Sequence, residues 1–409
     1  MKIAIFEPQF LTPRAFAASH IVLLQDQATM LSKLGNEIVI LTEKALPHSR
    51  INVPNLRLRL LSGKFSLVKL WLMPQQICMS MLPDFFSLDI IREALKALRR
   101  EKPDVLYSCG SPFFSIFTAL LGYRSGIPTV YYVFTPAHYA RWWKGETTNK
   151  YSEPAHKVVL ETLKQTFRQI PRRGLLMRWG LNHVNKLIVS SKFVKASLDR
   201  LCDTKKIPIV YPSTKIPPLK HSSITNQVII TYYGHLRPRR GVIDLVHAFT
   251  KVADEFSNIR LMLAISNIHE IYGSMTLRIC KKVLKQHELE SSVIWKGIVS
   301  NVYSEILQPS SLLVLPQHEP SIKIIESMAA GKPVITTKAG WAPEIISNGV
   351  NGCLVEVGKV QQIVASIKKL ISDYELAIQI GENAWKTVKE KCNLTRSTKE
   401  LIKIFEKLN

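Results

Sequence analysis

Short apolar segments alternate with helical segments along this chain, and the alternation occurs twice. Lys2–Phe6 and Glu37–Thr42 are apolar segments of strand length, and apolar residues at helical spacing lie between them at 23–34. A strand, a helix and a second strand in this order predict a parallel sheet, because parallel strands need a long crossover connection. The same order begins again at 228–233. The sequence therefore predicts the α/β fold class.

Two domains are expected, because 409 residues exceed what a single ordinary core supports. A proline-rich segment at 207–218 has no helical pattern and separates the two alternating regions. We therefore place the domain boundary there, with an N-terminal domain at 1–210 and a C-terminal domain at 211–393. The loop 7–20 contains no glycine, so the phosphate-binding turn of a dinucleotide fold is not expected in the first domain.

The chain is strongly basic, with a formal net charge of +24. The segment 141–220 alone contains 17 Lys and Arg against 5 Asp and Glu, interleaved with aromatic residues such as Trp142, Trp143 and Trp179. This pattern is typical of contact with an anionic membrane surface. Nucleic acid is the other anionic partner, and we regard it as the weaker alternative. A basic surface that only faces solvent is the plain alternative to both.

The expected compartment is the cytoplasm, with a peripheral position on the inner face of the membrane if the basic segment binds lipid. No apolar run reaches the length of about 18 residues that a membrane-spanning helix needs. The first strand is followed at once by polar residues, which does not fit a signal peptide. The six cysteines are scattered and form no C-x-x-C pair, which favours reduced thiols and argues against a zinc site.

The turn 234–241 has the sequence GHLRPRRG and joins a predicted strand to a predicted helix. It combines a glycine at each end with three guanidinium groups and the positive end of a helix dipole. These are the components of a phosphate or pyrophosphate site. A solvent-exposed loop with three arginines, Arg237, Arg239 and Arg240, is the alternative interpretation.

Two carboxylates follow another predicted strand at 311–315. Glu319 lies four residues after the end of the strand, and Glu326 lies on the first turns of the next predicted helix. The carboxyl ends of parallel strands form the edge of the sheet where ligands bind. Glu326 is placed to accept hydrogen bonds from ribose hydroxyls, so that it and the arginine turn together describe a site for a nucleoside diphosphate.

His138 follows the predicted strand Thr129–Val133 and lies at the corresponding edge of the first sheet. A neutral imidazole at this edge could bind a substrate hydroxyl or share a proton near neutral pH. A purely structural histidine is the alternative.

Several of these motifs resemble glycosyltransferase family 4, whose members are retaining enzymes of GT-B fold that use nucleotide-activated sugars. The motifs are Gly234-His235-Leu236, Arg240-Gly241 and the stretch ESMAAGKPVI that begins at Glu326. The resemblance covers nearly the whole chain and is strongest at 232–357. It implies two Rossmann-like domains facing across a cleft, with a C-terminal helix at 394–408 that packs back on the first domain.

The resemblance also implies roles for individual residues of the second domain. Arg240 takes the phosphate role, and His235 stands where the family usually has an arginine, for which Arg237 or Arg239 compensates. Glu326 contacts the ribose and Lys323 the phosphate or sugar, while Glu319, one residue closer to Glu326 than the usual spacing, contacts the donor sugar. The donor-binding set is therefore Gly234, His235, Arg237, Arg239, Arg240, Lys323 and Glu326.

In the first domain the resemblance implies an acceptor site. The family's Gly-Gly pair is replaced by small residues at 17–20, so Ser19 and His20 are assigned to the acceptor side. His138 lies where the family often has an active-site histidine, and it is assigned with Glu319 to catalysis. No metal and no cofactor are expected, because guanidinium groups can neutralise the diphosphate and no Asp-x-Asp sequence is present.

The function expected from these observations is transfer of a sugar from a nucleotide-diphosphate sugar to a hydroxyl of a sugar or lipid-linked acceptor, in cell-surface polysaccharide or glycolipid synthesis. Two alternatives stay open. One is a catalytically inactive binding protein with the same fold, suggested by His235 and the shortened spacing of the two glutamates. The other is a basic protein that binds membrane or nucleic acid.

Overall fold

The structure is a computed structural model that describes residues 1–7, 19–42, 53–61, 88–136, 171–219, 227–265, 271–299 and 301–408. His138 and the part of the basic segment at 141–170 lie outside these ranges, as do Trp142 and Trp143. The chain divides into two compact units, Met1–Tyr211 with Ser397–Asn409 and Pro212–Arg396.

The first unit contains a six-stranded parallel sheet with the strand order β3-β2-β1-β4-β5-β6. The strands are β1 (Lys2–Phe6), β2 (Glu37–Thr42), β3 (Leu56–Leu60), β4 (Val105–Gly110), β5 (Thr129–Val133) and β6 (Lys186–Val189). The described helices of this unit include α1 (Ser19–Lys33), α2 (Leu88–Glu101), α3 (Ser115–Ser125), α4 (Pro171–His183) and α5 (Lys192–Ser197). The expectation of an α/β fold with a parallel sheet is confirmed here.

The second unit repeats this architecture, and its sheet has the order β12-β11-β10-β7-β8-β9. All its pairings are parallel. The strands are β7 (Val228–Gly234), β8 (Ile259–Ile265), β9 (Val293–Lys296), β10 (Leu312–Leu315), β11 (Val334–Thr337) and β12 (Cys353–Val355). The helices include α6 (Val242–Ala253), α7 (Ile271–Gln286), α8 (Ile322–Ala329), α9 (Ala342–Ile345), α10 (Val360–Ser372) and α11 (Tyr374–Lys391).

Helices cover both faces of the first sheet. Leu106 of β4 belongs to a buried cluster that includes residues of α2 and α3. The next residue, Tyr107, points to the opposite face because side chains alternate along a strand. There its hydroxyl donates to Gln27 of α1 at 2.8 Å, and its ring packs on Phe405 of the last helix, α12 (Leu394–Glu406), with centroids 5.4 Å apart.

The strand order places the candidate site in the second unit. The order reverses between β7 and β10, which pair directly through Leu312 with Ile230 and Leu313 with Thr231. At such a point the connections leave toward opposite sides of the sheet, and a crevice opens at the carboxyl ends of the two strands. The arginine turn follows β7 and the segment with Glu319 follows β10, so the topology brings the two together. The same reversal occurs between β1 and β4 in the first unit.

The described residues include helices and cysteines that bear on membrane insertion and on disulfide formation. None of the described helices is long and apolar enough to cross a membrane. The five described cysteines, Cys109, Cys202, Cys280, Cys353 and Cys392, are all free.

Candidate functional site

The arginine turn, residues 234–241, is shaped by its two glycines. Gly241 has φ +69° and caps the N-terminus of α6, and a Cβ atom there would lie 1.9 Å from the carbonyl oxygen of Pro316. Gly234 has φ +148°, and a Cβ atom on it would lie 3.3 Å from Cε of Lys323. Only glycine adopts these backbone angles at low cost, and at Gly241 any side chain would also collide with the Pro316 carbonyl. The turn can therefore lie directly against the segment that follows β10.

Hydrogen bonds and an ion pair join the arginine turn to that segment. The backbone N–H of His318 donates to the carbonyl of Arg239 at 2.9 Å. Nη1 of Arg240 donates to Oε1 of Gln317 at 2.8 Å and to the backbone carbonyl of Glu319 at 3.4 Å. Nη1 of Arg239 lies 3.7 Å from Oε1 of Glu319, and both side chains are largely buried. The structure thus brings Arg239, Arg240 and Glu319 together at the ends of β7 and β10.

Helix α8 supplies the second half of the site. The hydroxyl of Tyr233 is 2.9 Å from the carbonyl of Lys323 and 3.2 Å from Oε2 of Glu326. The ammonium of Lys323 lies 5.4 Å from the centroid of the Tyr233 ring, which is the geometry of a cation–π contact. Tyr233 therefore ties α8, and with it Glu326, to the end of β7. No role for Tyr233 was predicted from the sequence, although two adjacent tyrosines at the end of an aliphatic strand are a recognisable signal.

The neighbouring Tyr232 supports the start of the arginine turn. Its hydroxyl donates to the backbone carbonyl of His235 at 2.7 Å. Burial raises the pKa of Tyr232 although nearby Arg240 acts in the opposite direction. The hydroxyl therefore stays protonated at neutral pH and can keep donating to this carbonyl. The described role of His235 in the turn is therefore the backbone carbonyl that accepts this hydrogen bond.

The charges at this edge of the second sheet are predominantly positive. The assigned residues supply four cationic side chains, on Arg237, Arg239, Arg240 and Lys323, and two carboxylates, on Glu319 and Glu326. Cationic donors on a turn that leads into a helix N-terminus are suited to a phosphate group, and a partly buried carboxylate is suited to hydroxyl groups. The arrangement can therefore hold an anion and a polyhydroxyl group side by side.

In the first unit, Ser19 and His20 form the start of α1 beside the end of β1. Nε2 of His20 lies 3.8 Å from Oε2 of Glu7, a buried residue that directly follows β1. Burial lowers the pKa of His20 to about 4, so the ring is neutral at pH 7. A neutral imidazole can both donate and accept hydrogen bonds. Glu7 was not singled out by the sequence analysis, because a lone acid after a strand carries no distinct pattern.

No group of three or more His, Cys, Asp and Glu side chains suited to a metal ion occurs within the described ranges. The metal expectation for the whole chain stays a prediction.

Two family models match consecutive parts of the chain. Residues 22–216 match Glycosyltransferase Family 4, and residues 218–387 match Glycosyl transferases group 1. The fold and these matches define the class of the protein: the chain belongs to the group 1 glycosyltransferases of the family 4 type.

Curated relatives align with part of the chain. An uncharacterised glycosyltransferase of Methanocaldococcus jannaschii is 25% identical over 235 residues, which cover 54% of this chain and 58% of that protein. The N-acetyl-alpha-D-glucosaminyl L-malate synthase of Bacillus anthracis is 30% identical over 167 residues, covering 40% and 42%. The chain thus matches about half the length of these relatives.

Solved structures match along the full length of the chain. Sucrose-phosphate synthase from Thermosynechococcus elongatus superposes with a TM-score of 0.76 at 15% identity, covering 100% of this chain and 98% of that one. HepE of Anabaena, solved in complex with UDP and glucose, has a TM-score of 0.72 at 14% identity and covers 99% of both chains. These similarities confirm the GT-B fold expected from the motifs.

Proposed function

We propose that this protein transfers a sugar from a nucleoside-diphosphate sugar to a hydroxyl group of an acceptor, with retention at the anomeric carbon. The observation that carries the proposal is the convergence of Arg239, Arg240, Lys323 and Glu326 at the point where the strand order of the second sheet reverses. Membership of the glycosyltransferase family supports it. The complex of the structural neighbour HepE with UDP and glucose supports a nucleotide sugar as donor.

Each group of the donor, namely the diphosphate, the ribose and the sugar, is assigned to particular residues of the site. Arg240 binds the diphosphate, and Arg237, Arg239 and Lys323 add positive charge around it. Gly234 and His235 let the backbone approach the phosphates. Glu326 accepts hydrogen bonds from the ribose hydroxyls, and Glu319 contacts the donor sugar.

The reaction breaks the bond between the anomeric carbon and the β-phosphate oxygen, and both electrons leave with the diphosphate. The acceptor oxygen forms the new bond on the face from which the diphosphate departs, and its proton passes to the departing phosphate oxygen. The transition state has oxocarbenium character, with negative charge growing on the phosphate. Stabilisation of that charge by Arg240 and its neighbours lowers the barrier.

The acceptor binds at the carboxyl edge of the first sheet. Ser19 and His20 contact it there, and the neutral imidazole of His20 is suited to a hydroxyl group. His138 binds a hydroxyl of the acceptor or of the donor sugar, or shares a proton with it. The proposed acceptor is a sugar or a lipid-linked sugar of a cell-surface polysaccharide or glycolipid.

A screen of UDP-, GDP- and ADP-sugars against the purified protein tests the proposal. We expect one nucleotide series to raise the melting temperature, because a ligand at about 100 times its Kd stabilises a protein by roughly 2.7 kcal/mol. That nucleotide sugar should then be consumed in the presence of an acceptor, with retention visible by NMR and undiminished turnover in EDTA. A nucleotide sugar that stabilises the protein but is never consumed would favour an inactive binding protein, and the absence of both stabilisation and consumption would contradict the proposed function.

The partner proposed for the basic segment is an anionic membrane surface. Helix α4 carries Leu175, which is 68% exposed, and Leu176, which is 51% exposed, next to the exposed Arg178. Exposed leucines beside cationic side chains can enter the boundary between lipid headgroups and acyl chains. Such a surface would hold the enzyme close to a lipid-linked acceptor.

Vesicle flotation is expected to show this contact. The protein should float with vesicles of phosphatidylcholine and phosphatidylglycerol, and much less with phosphatidylcholine alone or at high salt. The double variant Leu175→Ser/Leu176→Ser should float less than the wild type, whereas Tyr123→Ser, at a 79% exposed residue of α3, should not. Equal flotation of the double variant and the wild type would exclude this face. Salt-dependent binding to DNA or RNA without flotation would favour nucleic acid.

A further inference from the structure

Gln317 is a buried polar residue at the centre of the candidate site. It follows β10 after Pro316, and only 4% of its surface is exposed. Its backbone N–H donates to the carbonyl of Leu315 at 2.8 Å, and its own carbonyl accepts a hydrogen bond from the hydroxyl of Thr337. The backbone of Gln317 is therefore held between the ends of β10 and β11.

The side-chain amide of Gln317 uses both of its ends. Oε1 accepts from Nη1 of Arg240 at 2.8 Å, and Nε2 donates to Oγ of Ser321 at 3.0 Å. A guanidinium has only donors, so the atom of the amide that faces Arg240 must be the oxygen. This assignment leaves the nitrogen facing Ser321, the residue that precedes α8. The amide thus connects the arginine turn to the start of the helix that carries Lys323 and Glu326.

The two arginines next to this segment differ in the charge of their acceptors. Arg239 lies beside the carboxylate of Glu319, which offsets part of its charge. Arg240 donates to two neutral oxygens, those of the Gln317 amide and the Glu319 backbone. Within the part of the chain that the structure describes, Arg240 forms no ion pair with a carboxylate. A neutral acceptor orients a guanidinium without cancelling its charge, so the charge stays available to an anion.

We propose that Gln317 is a positioning residue for Arg240 in donor binding. It fixes the direction of the guanidinium toward the diphosphate and preserves its positive charge, and its bond to Ser321 holds α8 in register with the arginine turn. The proposal rests on the proposed function of this site.

Gln317→Glu tests the charge argument, because it keeps the shape of the side chain and places a carboxylate on Arg240. We expect the Kd for UDP, measured by calorimetry, to rise at least about tenfold, and that for inorganic pyrophosphate, a probe without a base, to rise similarly. The salt dependence of binding should also weaken, since one cation is neutralised. Gln286→Glu, at an exposed glutamine of α7, adds the same charge elsewhere in this unit and should leave both Kd values unchanged.

A double-mutant cycle separates positioning from a general structural role. If Gln317 acts through Arg240, then Gln317→Glu causes no further loss of UDP binding in an Arg240→Ala background. If Gln317→Glu fails to fold, the shorter Gln317→Asn variant serves in the same cycle, since its amide cannot reach both partners. Undiminished binding of UDP by the Gln317 variant, or an equal loss in both backgrounds, would overturn the inference alone. Failure of the wild type to bind UDP, pyrophosphate and the other nucleoside diphosphates would overturn the proposed function as well.

Discussion

Arg240→Ala is expected to reduce kcat/KM for the donor by about 100- to 1,000-fold or more, while leaving the fold intact. In the proposed reaction this guanidinium meets the charge that develops on the departing diphosphate. It donates to neutral oxygens in the free protein, so its full charge can act on the phosphate. Removing it takes away a charged donor that neither Arg239, which lies beside the Glu319 carboxylate, nor a neutral group replaces. Nucleotide release in a coupled assay gives kcat and KM separately, and circular dichroism with a melting curve shows whether the fold is retained.

Two variants give this prediction its controls. Arg260→Ala removes an arginine of β8 in the same unit, whose Nη2 donates to the Ser291 carbonyl at 2.8 Å, and should leave turnover near the wild-type value. Arg240→Lys keeps the charge but not the fork of donors, and should retain only part of the activity. Near-normal turnover of Arg240→Ala would show that Arg240 does not bind the diphosphate in the reaction.

Glu326→Ala is expected to lower kcat/KM for the donor by about a hundredfold or more, with most of the loss in KM. A hydrogen bond to a charged group contributes roughly 1.5–3 kcal/mol, and a carboxylate can bind both ribose hydroxyls. The variant should also bind the free nucleoside diphosphate weakly, since the ribose belongs to product and substrate alike. Calorimetry with UDP next to steady-state kinetics checks both expectations.

Tyr233→Phe is a milder change than Glu326→Ala, and the losses of UDP affinity in the two variants can be compared. It removes the hydroxyl that lies 3.2 Å from Oε2 of Glu326 but keeps the ring beneath Lys323, so a smaller loss is expected. Glu356→Gln, at an exposed glutamate of the same unit, serves as the control for a lost carboxylate. Unchanged affinity of Glu326→Ala for UDP, or a greater loss in Tyr233→Phe than in Glu326→Ala, would contradict the ribose role.

Much of the candidate donor site could be predicted from the sequence, because its signals are local. The glycines at 234 and 241 flank three arginines, and in the structure both have a positive φ angle and lie close to other groups. Glu326 was recognisable on a helix that ends at a glycine. The assignments in the first domain had weaker signals, since loop 7–20 lacks the expected glycine pair, and the roles of Ser19, His20 and His138 stay predictions.

The order of apolar and helical segments determined the α/β class and the parallel sheets, and it placed the arginine turn and the glutamates after strands, where a parallel sheet binds ligands. Hydrophobic periodicity and the positions of glycines are visible in short stretches of sequence, so they can be recognised before the fold is known. The tertiary structure decided which side chains of the arginine turn, β7, the segment after β10 and α8 contact one another. Gln317 and Arg240 are 77 residues apart, and Tyr233 and Glu326 are 93 apart. Their contacts depend on the pairing of β7 with β10 and on the packing of α8, and no local pattern encodes either.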